Sequence, residues 1–302
     1  MPSQDLKIPD HFINRTAERE IFEQLLQLKE DARFLAIEDK EGTGKSTLLK
    51  MLRYQTFFLY QKPVSIISLE EPTINSPFIF IERLRKGFGT RGKFTNFDAL
   101  NQARVNKISS RFAPSPATIS GTVDARGVVI SGSGHEFAGV KVNASGTVVV
   151  NPNDWSLEQE ELAREECIKG FRADLQSSNE AIVVLLDSYE RCSLDLAGWI
   201  LEEFLLSFCF NAENRPARLL LVLAGRELPN FKAMLDQLKY EQFIRSKELS
   251  MWEEEHVKAF LKVHGYSDLS DEDVEYVWVK VKKGRTIREA LTLADFIRFN
   301  RL

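Results

Sequence analysis

The chain has little of what disulfide-bonded and metal-binding proteins are built from. Its 302 residues hold 3 cysteines and 4 histidines. The cysteines, Cys167, Cys192 and Cys209, are odd in number and lack metal-ligand spacing. The sequence therefore predicts reduced thiols in a cytoplasmic protein without a zinc site.

Long apolar runs and an excess of basic charge are lacking as well. No apolar stretch approaches the ~18 residues that a membrane span requires, and the first residues do not have the basic-then-apolar layout of a signal peptide. The net charge of −4 argues against a polycation built for nucleic acid. We therefore expect a cytoplasmic globular protein that makes no membrane contact.

What the chain does have is a phosphate-binding pattern. An apolar strand at residues 34–37 leads into a glycine turn and then into a helix-forming run. Loops of this kind direct backbone N–H groups, at the start of a helix, toward phosphate. The residues expected to hold a nucleotide are Glu41, Gly42, Thr43, Gly44, Lys45, Ser46 and Thr47.

Two of these side chains have specific expected roles. Lys45 is expected to reach the β- and γ-phosphates, and the Ser46 hydroxyl to ligate Mg²⁺. The sequence departs from the pattern G-x-x-x-x-G-K-[ST] at the first position, where Asp39 stands in place of glycine. We expect a carboxylate there to tolerate the turn less well and to place negative charge near phosphate. A chance Gly-Lys-Ser-Thr turn is the alternative, but the flanking strand and helix favour a P-loop.

Two later apolar strands end in charged residues. The strand at 182–186 is followed by Asp187, and carboxyl ends of parallel strands are where open α/β sheets bind ligands. Asp187 is therefore expected to hold Mg²⁺ opposite Ser46, and Glu190 to polarise an attacking water. An acid that only caps the next helix is the alternative. Since Ser188, not an acid, follows Asp187, we expect slow hydrolysis or none.

The next strand, residues 218–223, leads to Arg226. A guanidinium at this strand end is expected to contact the γ-phosphate. An ion pair with Glu227, or a contact with a helix end, is the alternative.

Alternating strands and helices predict an α/β fold: a P-loop NTPase with a parallel sheet flanked by helices. The predicted domains are a core at 1–245 and a C-terminal helical lid at 246–302. An insertion at about 85–155 is expected within the core. It overlaps a basic stretch at 82–111, where eight basic and two acidic residues give +6, and a glycine-rich stretch at 113–153. The glycine-rich stretch predicts a β-hairpin or β-arch, with a disordered loop as the alternative.

The order of these motifs resembles that of the STAND ATPases, the signal-transduction branch of the AAA-like P-loop proteins that includes NACHT domains. The resemblance rests on Phe-Ile-Asn-Arg-Thr-Ala-Glu at 12–18, the P-loop at 42–47, Leu-Asp-Ser-Tyr-Glu at 186–190, Leu-Ala-Gly-Arg at 223–226 and Leu-Ser-Met-Trp-Glu-Glu at 249–254. Besides Asp39, one departure matters: Lys-Gly-Arg-Thr at 283–286 has no proline where the lid's glycine-x-proline turn would fall.

The resemblance implies that Ile13, Asn14 and Arg15 lie against the adenine and ribose. It also implies ATP or ADP with Mg²⁺ as ligands, and Lys45, Asp187, Glu190 and Arg226 as the catalytic set. The absence of a guanine-reading Asn-Lys-x-Asp motif favours adenine. The implied function is a nucleotide-dependent switch that oligomerises or binds a protein partner, with slow ATP hydrolysis. The insertion is the candidate surface for this association.

Two other functions stay open from the sequence. The +6 stretch is the only support for a nucleic-acid-associated ATPase related to origin-recognition proteins, and salt-dependent DNA binding would favour it. Asp39 and Ser188 motivate the other alternative, a scaffold that binds nucleotide without hydrolysing it.

Overall fold

The computed structural model describes residues 15–27, 33–112, 140–142, 148–150, 157–211, 213–249, 252–283 and 286–299. The chain divides into two compact units. One comprises Met1–Phe94 together with Phe171–Leu302, and the other is Thr95–Gly170.

The secondary-structure elements alternate through most of the chain. In order they are α1 (Thr16–Leu26), β1 (Phe34–Glu38), α2 (Lys45–Tyr54), β2 (Val64–Ser68), α3 (Pro77–Phe88), α4 (Thr95–Phe112), β3 (Val140–Val142), β4 (Val148–Val150), α5 (Leu157–Ser177), β5 (Ile182–Asp187), α6 (Leu194–Trp199), β6 (Leu219–Gly225), α7 (Phe231–Met234), α8 (Gln237–Phe243), β7 (Ile244–Lys247), α9 (Glu254–Val263), α10 (Asp271–Lys282) and α11 (Ile287–Phe299). Helices α2 and α6 continue as π-helix over Gln55–Leu59 and Ile200–Cys209.

The first unit is built on a five-stranded parallel sheet. Its strand order is β2-β5-β6-β1-β7, and every neighbouring pair runs parallel. All residues of β5 and β6 are buried, which explains their near-continuous Ile, Leu and Val composition. Together with the glycine loop and helices around the sheet, this order confirms the predicted α/β P-loop NTPase fold class.

The helices that pack on this sheet begin and end at recognisable signals. Helix α3 starts at Ser76, whose hydroxyl accepts a hydrogen bond from the Ile79 N–H at 3.4 Å, with Pro77 in the first helical position. At Gly87 this helix approaches β2 so closely that an added Cβ would lie 2.0 Å from the Ser65 Oγ. Only glycine therefore allows α3 and β2 to pack at this distance.

The last three helices have a hydrophobic cluster of their own. It comprises Val257, Leu261, Val274, Val277, Val281, Ala290 and Ala294. Helix α10 begins with a capping box, in which Ser270 and Asp273 bond each other's backbone N–H groups, as the sequence predicts.

The second unit contains α4, the antiparallel pair β3–β4 and most of α5. Helices α4 and α5 approach closely at Gly170, where an added Cβ would lie 2.7 Å from the Leu100 Cδ1. The pair β3–β4 falls in the glycine-rich stretch for which a β-hairpin was predicted; the other residues of 113–153 lie outside the described residues.

Some elements differ from the sequence-based expectation. Much of the basic stretch lies in helix α4, which the sequence did not predict. Strand β7 also was not predicted, since Ile-Arg-Ser-Lys has no apolar run and only Ile244 in it is buried.

Candidate functional site

The site is assembled at the carboxyl edge of the parallel sheet. The segments that follow β1, β2, β5 and β6 all emerge there, because the four strands point the same way. The strand register aligns the ends of these strands. Glu38 at the end of β1 pairs with Gly225 of β6, and Ser68 of β2 pairs with Asp187 of β5. Charged residues that are distant in sequence therefore meet around the glycine loop.

The glycine loop has the backbone that its sequence predicts. Gly42 and Gly44 adopt φ angles of 75° and 98°, a region that side chains with a Cβ rarely enter. Gly44 is the residue that precedes α2, and its carbonyl accepts the Leu48 N–H at 2.9 Å. The loop therefore leads directly into a helix N-terminus, where free N–H groups favour phosphate.

Asp39 disturbs this loop less than expected. Within the described residues, positive φ at a non-glycine residue occurs at Gln61 and Ser188, so Asp39 does not need the freedom of glycine. Its carboxylate accepts the Lys40 N–H at 2.7 Å, and its own N–H donates to the Gly225 carbonyl at 3.2 Å. The side chain thus supports the turn by bonding its backbone.

Lys45 is held inside the loop. Its ammonium donates to the backbone carbonyls of Asp39 and Lys40, each at 2.5 Å. Burial lowers the pKa of Lys45, while the nearby carboxylates of Asp39 and Glu190 act in the opposite direction. An arriving phosphate would replace two neutral carbonyl acceptors with a charged one, which forms stronger hydrogen bonds.

Ser46 and Asp187 meet as predicted for an Mg²⁺ pair. The Ser46 hydroxyl hydrogen-bonds the Asp187 carboxylate, which also accepts the Ser188 N–H. Burial raises the pKa of Asp187, and these hydrogen bonds oppose the rise. A hydroxyl and a carboxylate are oxygen donors of the kind that Mg²⁺ takes alongside phosphate oxygens and water. No cluster of three His, Cys, Asp or Glu suited to a metal occurs in the described part of the chain.

A chain of ion pairs crosses the edge beside these residues. Arg226 pairs with Glu41 of the loop at 2.8 Å and with Glu190 at 3.3 Å, and its backbone N–H donates to Glu190 at 3.0 Å. Arg191 continues the chain, at 3.8 Å from Glu41 and 2.8 Å from Glu70. The pairing partner of Arg226 is therefore neither Glu227 nor a helix end.

Glycine is needed at a second place in this network. A Cβ added at Gly225 would lie 3.0 Å from the Glu190 carboxylate and 2.9 Å from the Leu228 side chain. Glu190 can therefore approach the end of β6 closely only because residue 225 has no side chain.

Arg15 reaches the loop from the N-terminal side. It is buried, its guanidinium donates to the Thr43 carbonyl at 2.5 Å, and it lies 5.6 Å from the centre of the Trp252 ring. Burial lowers the pKa of Arg15, opposed by Glu18 and Asp39. Arg15 thus contacts the backbone of the loop, whereas Ile13 and Asn14 lie outside the described residues.

The C-terminal helices contact the loop at Gly42. A Cβ added there would lie 2.2 Å from the Thr286 Cγ2, so Thr286 fills the space beside the glycine. Thr286 precedes α11, where its hydroxyl accepts the Glu289 N–H at 3.3 Å and its N–H donates to the Glu289 carboxylate at 2.7 Å. The start of α11 is therefore anchored against the phosphate loop.

The structure brings together Glu41, Gly42, Lys45, Ser46, Asp187, Glu190 and Arg226, all named from the sequence. It adds Glu70, Arg191, Trp252 and Thr286, which sequence reasoning missed. For Arg191 a signal existed, because it directly follows Glu190 in the same turn. Glu70 is recognisable only from its tertiary contact with Arg191. Trp252 and Thr286 lie within the motifs quoted at 249–254 and 283–286, but their contacts with Arg15 and beside Gly42 appear only with the fold.

Comparisons with known proteins give similarity to solved structures. These include a DNA replication initiation factor (15% identity, TM-score 0.44, covering 98% of this chain and 63% of that one). They also include the replication initiator DnaA bound to AMPPCP and single-stranded DNA (14%, 0.43, covering 94% and 61%) and the ORC2 protein of Aeropyrum pernix in ADPNP–ADP complexes (13%, 0.47, covering 91% and 59%). The chain thus spans about three fifths of these chains' lengths.

No protein-family profile and no curated protein matches this chain. Across the described residues, none of the helices combines the length and the apolar character needed to cross a bilayer.

Proposed function

We propose that this protein binds ATP or ADP with Mg²⁺ at the carboxyl edge of its sheet and acts as a slow, nucleotide-dependent switch. One observation carries the proposal. Lys45, held by loop carbonyls at a helix N-terminus, lies within electrostatic range of Asp187, Glu190 and Arg226 from the two neighbouring strand ends. This is the arrangement that phosphoryl transfer needs, since catalysis there consists of positioning and charge stabilisation.

Each residue has a role in the proposal. The loop N–H groups and Lys45 bind the phosphates, while Ser46 and Asp187 hold Mg²⁺, which neutralises phosphate charge when bound. Arg226 faces the terminal phosphate, and Glu190 orients the water. We expect slow hydrolysis because Ser188, not an acid, follows Asp187. Both oxygens of Glu190 also contact Arg226, at 3.3 and 3.0 Å, which limits how freely this carboxylate can reorient toward a water.

The helical lid is the element that would report the nucleotide state. Within the proposed division, the core is residues 1–245 and the lid 246–302. The contact between Thr286 and Gly42 supports coupling, because any movement of the loop must displace the start of α11. A ligand shifts such an equilibrium only as far as it binds the two states differently.

In this proposal the output of the switch is association with other protein chains rather than a chemical product. Assembly or binding of a protein partner is the signal-transduction version of the proposal, as the STAND resemblance implies. The insertion at about 85–155 is one surface that a partner could use.

A nucleic-acid-associated ATPase is the second candidate, and the +6 basic stretch favours it. Several of these cations have local partners, however: Arg85 donates to the Gly89 carbonyl at 2.9 Å, and Arg91 lies 3.9 Å from the Phe57 ring centre. DNA binding that weakens steeply with salt would favour this candidate over the protein-partner version.

The test of nucleotide binding is calorimetry with ATP and ADP, with and without Mg²⁺. We expect Lys45→Ala to weaken binding about 10- to 100-fold, since it removes a charge-assisted contact worth about 1.5–3 kcal/mol. Lys50→Ala is the matched control: it removes an exposed lysine of the same helix and should leave affinity within about two-fold.

Two results would contradict the proposal. One is a wild-type protein that binds neither nucleotide. The other is equal affinity in the wild type and Lys45→Ala, which would move the phosphate site elsewhere.

A further inference from the structure

Glu41 is an unexpected residue to find beside a phosphate site. It lies in the glycine loop directly before Gly42, and its side chain is 67% exposed. Despite that exposure, its carboxylate contacts Arg226 at 2.8 Å and Arg191 at 3.8 Å. The Glu41 carboxylate is therefore already paired with the Arg226 guanidinium, a cation that a bound phosphate would need.

The position of Arg226 explains why this matters. Arg226 contacts Glu41, which belongs to the same loop as Lys45, and Lys45 lies within electrostatic range of both Arg226 and Glu190. In P-loops the lysine reaches the β- and γ-phosphates. A γ-phosphate bound by Lys45 would therefore approach Arg226 from the same side, whereas a nucleotide that ends at the β-phosphate would stop short of it.

Three donor groups of Arg226 are already engaged. Its Nη2 group contacts Glu41, its Nε group contacts Glu190, and its backbone N–H also donates to Glu190. Glu190 is well buried, with 17% of its side chain exposed, and is fixed by two contacts. Glu41 touches Arg226 through a single contact, and its exposed carboxylate also lies 3.8 Å from Arg191. Glu41 is therefore the partner of Arg226 that a phosphate can displace more easily.

We propose that Glu41 is a specificity-determining residue that competes with the γ-phosphate for Arg226 and so biases the site toward the nucleoside diphosphate. The inference rests on the proposed nucleotide-binding function. A triphosphate must displace the Glu41 carboxylate from Arg226, whereas a diphosphate leaves the pair intact. The protein then discriminates between the two nucleotides by a penalty on the triphosphate.

The expected penalty on triphosphate binding follows from the solvent exposure of the Glu41–Arg226 pair. Exposed ion pairs contribute little, typically under about 1 kcal/mol, so the penalty is modest. We expect Glu41→Gln to tighten ATP binding about three- to five-fold, which by the factor of ten per 1.4 kcal/mol is within that range. ADP affinity should stay within about two-fold.

A matched control lies in the same ion-pair chain. Glu70 pairs with Arg191 at 2.8 Å, has 47% of its side chain exposed, and makes no ion pair with Arg226 among the described residues. Glu70→Gln therefore makes the same chemical change one link further from Arg226. It should leave the ratio of ATP to ADP affinity unchanged.

The Arg226→Ala variant distinguishes competition between Glu41 and the γ-phosphate for Arg226 from simple charge repulsion between Glu41 and that phosphate. In Arg226→Ala the guanidinium is gone, so Glu41 has nothing to withhold from the phosphate. If competition operates, adding Glu41→Gln to Arg226→Ala should improve ATP affinity by less than about two-fold.

The experiment is calorimetric titration of ATP and ADP, each with Mg²⁺, into wild type, Glu41→Gln, Glu70→Gln, Arg226→Ala and the Arg226→Ala/Glu41→Gln double variant. A selective ATP gain in Glu41→Gln that disappears without Arg226 supports the inference. A gain shared by ADP, no gain, or a gain that persists in full without Arg226 overturns it while nucleotide binding itself stands. Failure of every protein to bind either nucleotide overturns the proposed function and the inference with it.

Discussion

The two edges of the parallel sheet are built for different purposes. At the amino edge, Phe34 packs edge-on against Phe210 and Phe231, with ring centroids 5.4 and 5.1 Å away. At the carboxyl edge, ion pairs and glycines surround the phosphate loop. The same strands thus end in close apolar packing on one side and in closely spaced charges on the other.

The three aromatic rings at the amino edge, Phe34, Phe210 and Phe231, are all buried. A cavity there, beside Phe34 and Phe210, has a volume of about 10 Å³, which is the room for about one water. Close packing of this kind stabilises a fold and resists substitution. At the other edge, burial raises the pKa of Asp187 and lowers that of Lys45, so in both cases it disfavours the charged form. Stability is therefore concentrated at the amino edge, while the carboxyl edge holds buried charged groups that cost stability and are suited to binding.

The sharpest test of this contrast is Phe34→Ala, which should have the largest effect on stability. Phe34 is 1% exposed and first in the interior strand β1, so its removal leaves a cavity among aromatic rings. We expect a loss of about 3–5 kcal/mol in the free energy of unfolding, measured by urea denaturation. Nucleotide affinity of the folded protein should change little.

Phe58→Ala is the matched control for that variant. Its ring is 43% exposed, so truncation should cost less than about 1 kcal/mol. Equal losses for Phe34→Ala and Phe58→Ala would mean that the amino edge does not carry the stability assigned to it.

Gly42→Ala should have an intermediate effect, and it should fall on stability and binding together. Residue 42 has φ of 75°, and a Cβ would lie 2.2 Å from the Thr286 Cγ2. The conformational cost of a side chain in this region is about 1–2 kcal/mol, to which the contact with Thr286 adds. We expect lower unfolding free energy and weaker ATP binding, measured by denaturation and calorimetry.

Adding Thr286→Ser to Gly42→Ala separates the two causes. Serine removes the methyl group that would collide and keeps the hydroxyl that accepts the Glu289 N–H. The double variant should recover some of the steric loss, since the Cβ of residue 286 would still lie 2.7 Å away, and should keep the conformational part. No recovery at all would show that the lid does not rest on the loop at this residue.

The sequence was sufficient for the residues that bond within one loop or end one strand. The spacing of Gly42, Gly44, Lys45 and Ser46 is local, and an apolar run that ends in Asp187 predicts a buried strand with a carboxylate at its end. These features depend on periodicity and on glycine conformation, which a sequence displays directly.

The ion-pair chain could not be predicted in the same way. The bond between Arg191 and Glu70 joins residues 121 positions apart, and it forms because β2 and β5 are neighbours in the sheet. Glu41 was named as a binding residue, but its contact with Arg226 requires β6 to lie beside β1. Strand order is a tertiary property, so the partners of these charges appear only with the fold.

Asp187→Asn should have the smallest effect on the free energy of unfolding. The sign of that effect shows whether the buried carboxylate at the carboxyl edge costs stability. Burial raises the native pKa of Asp187, so native protein holds this proton more tightly than unfolded protein does. The stabilisation from the protonated form is complete in acid and is lost as pH rises through the raised pKa. At neutral pH we therefore expect Asp187→Asn to be more stable than wild type, and its Mg²⁺-dependent gain in ATP affinity to be lost.

Asp236→Asn provides a control of opposite sign. Asp236 is exposed, and the Lys239 backbone N–H lowers its pKa, so its contribution is present above the unfolded pKa and lost in acid. Denaturation from pH 3 to 8 should show the Asp187→Asn advantage growing as pH rises, while any deficit of Asp236→Asn grows in the same direction. If Asp187→Asn is instead less stable at neutral pH, the hydrogen bonds from Ser46 and Ser188 outweigh the cost of burial, and the carboxyl edge stabilises the fold as the amino edge does.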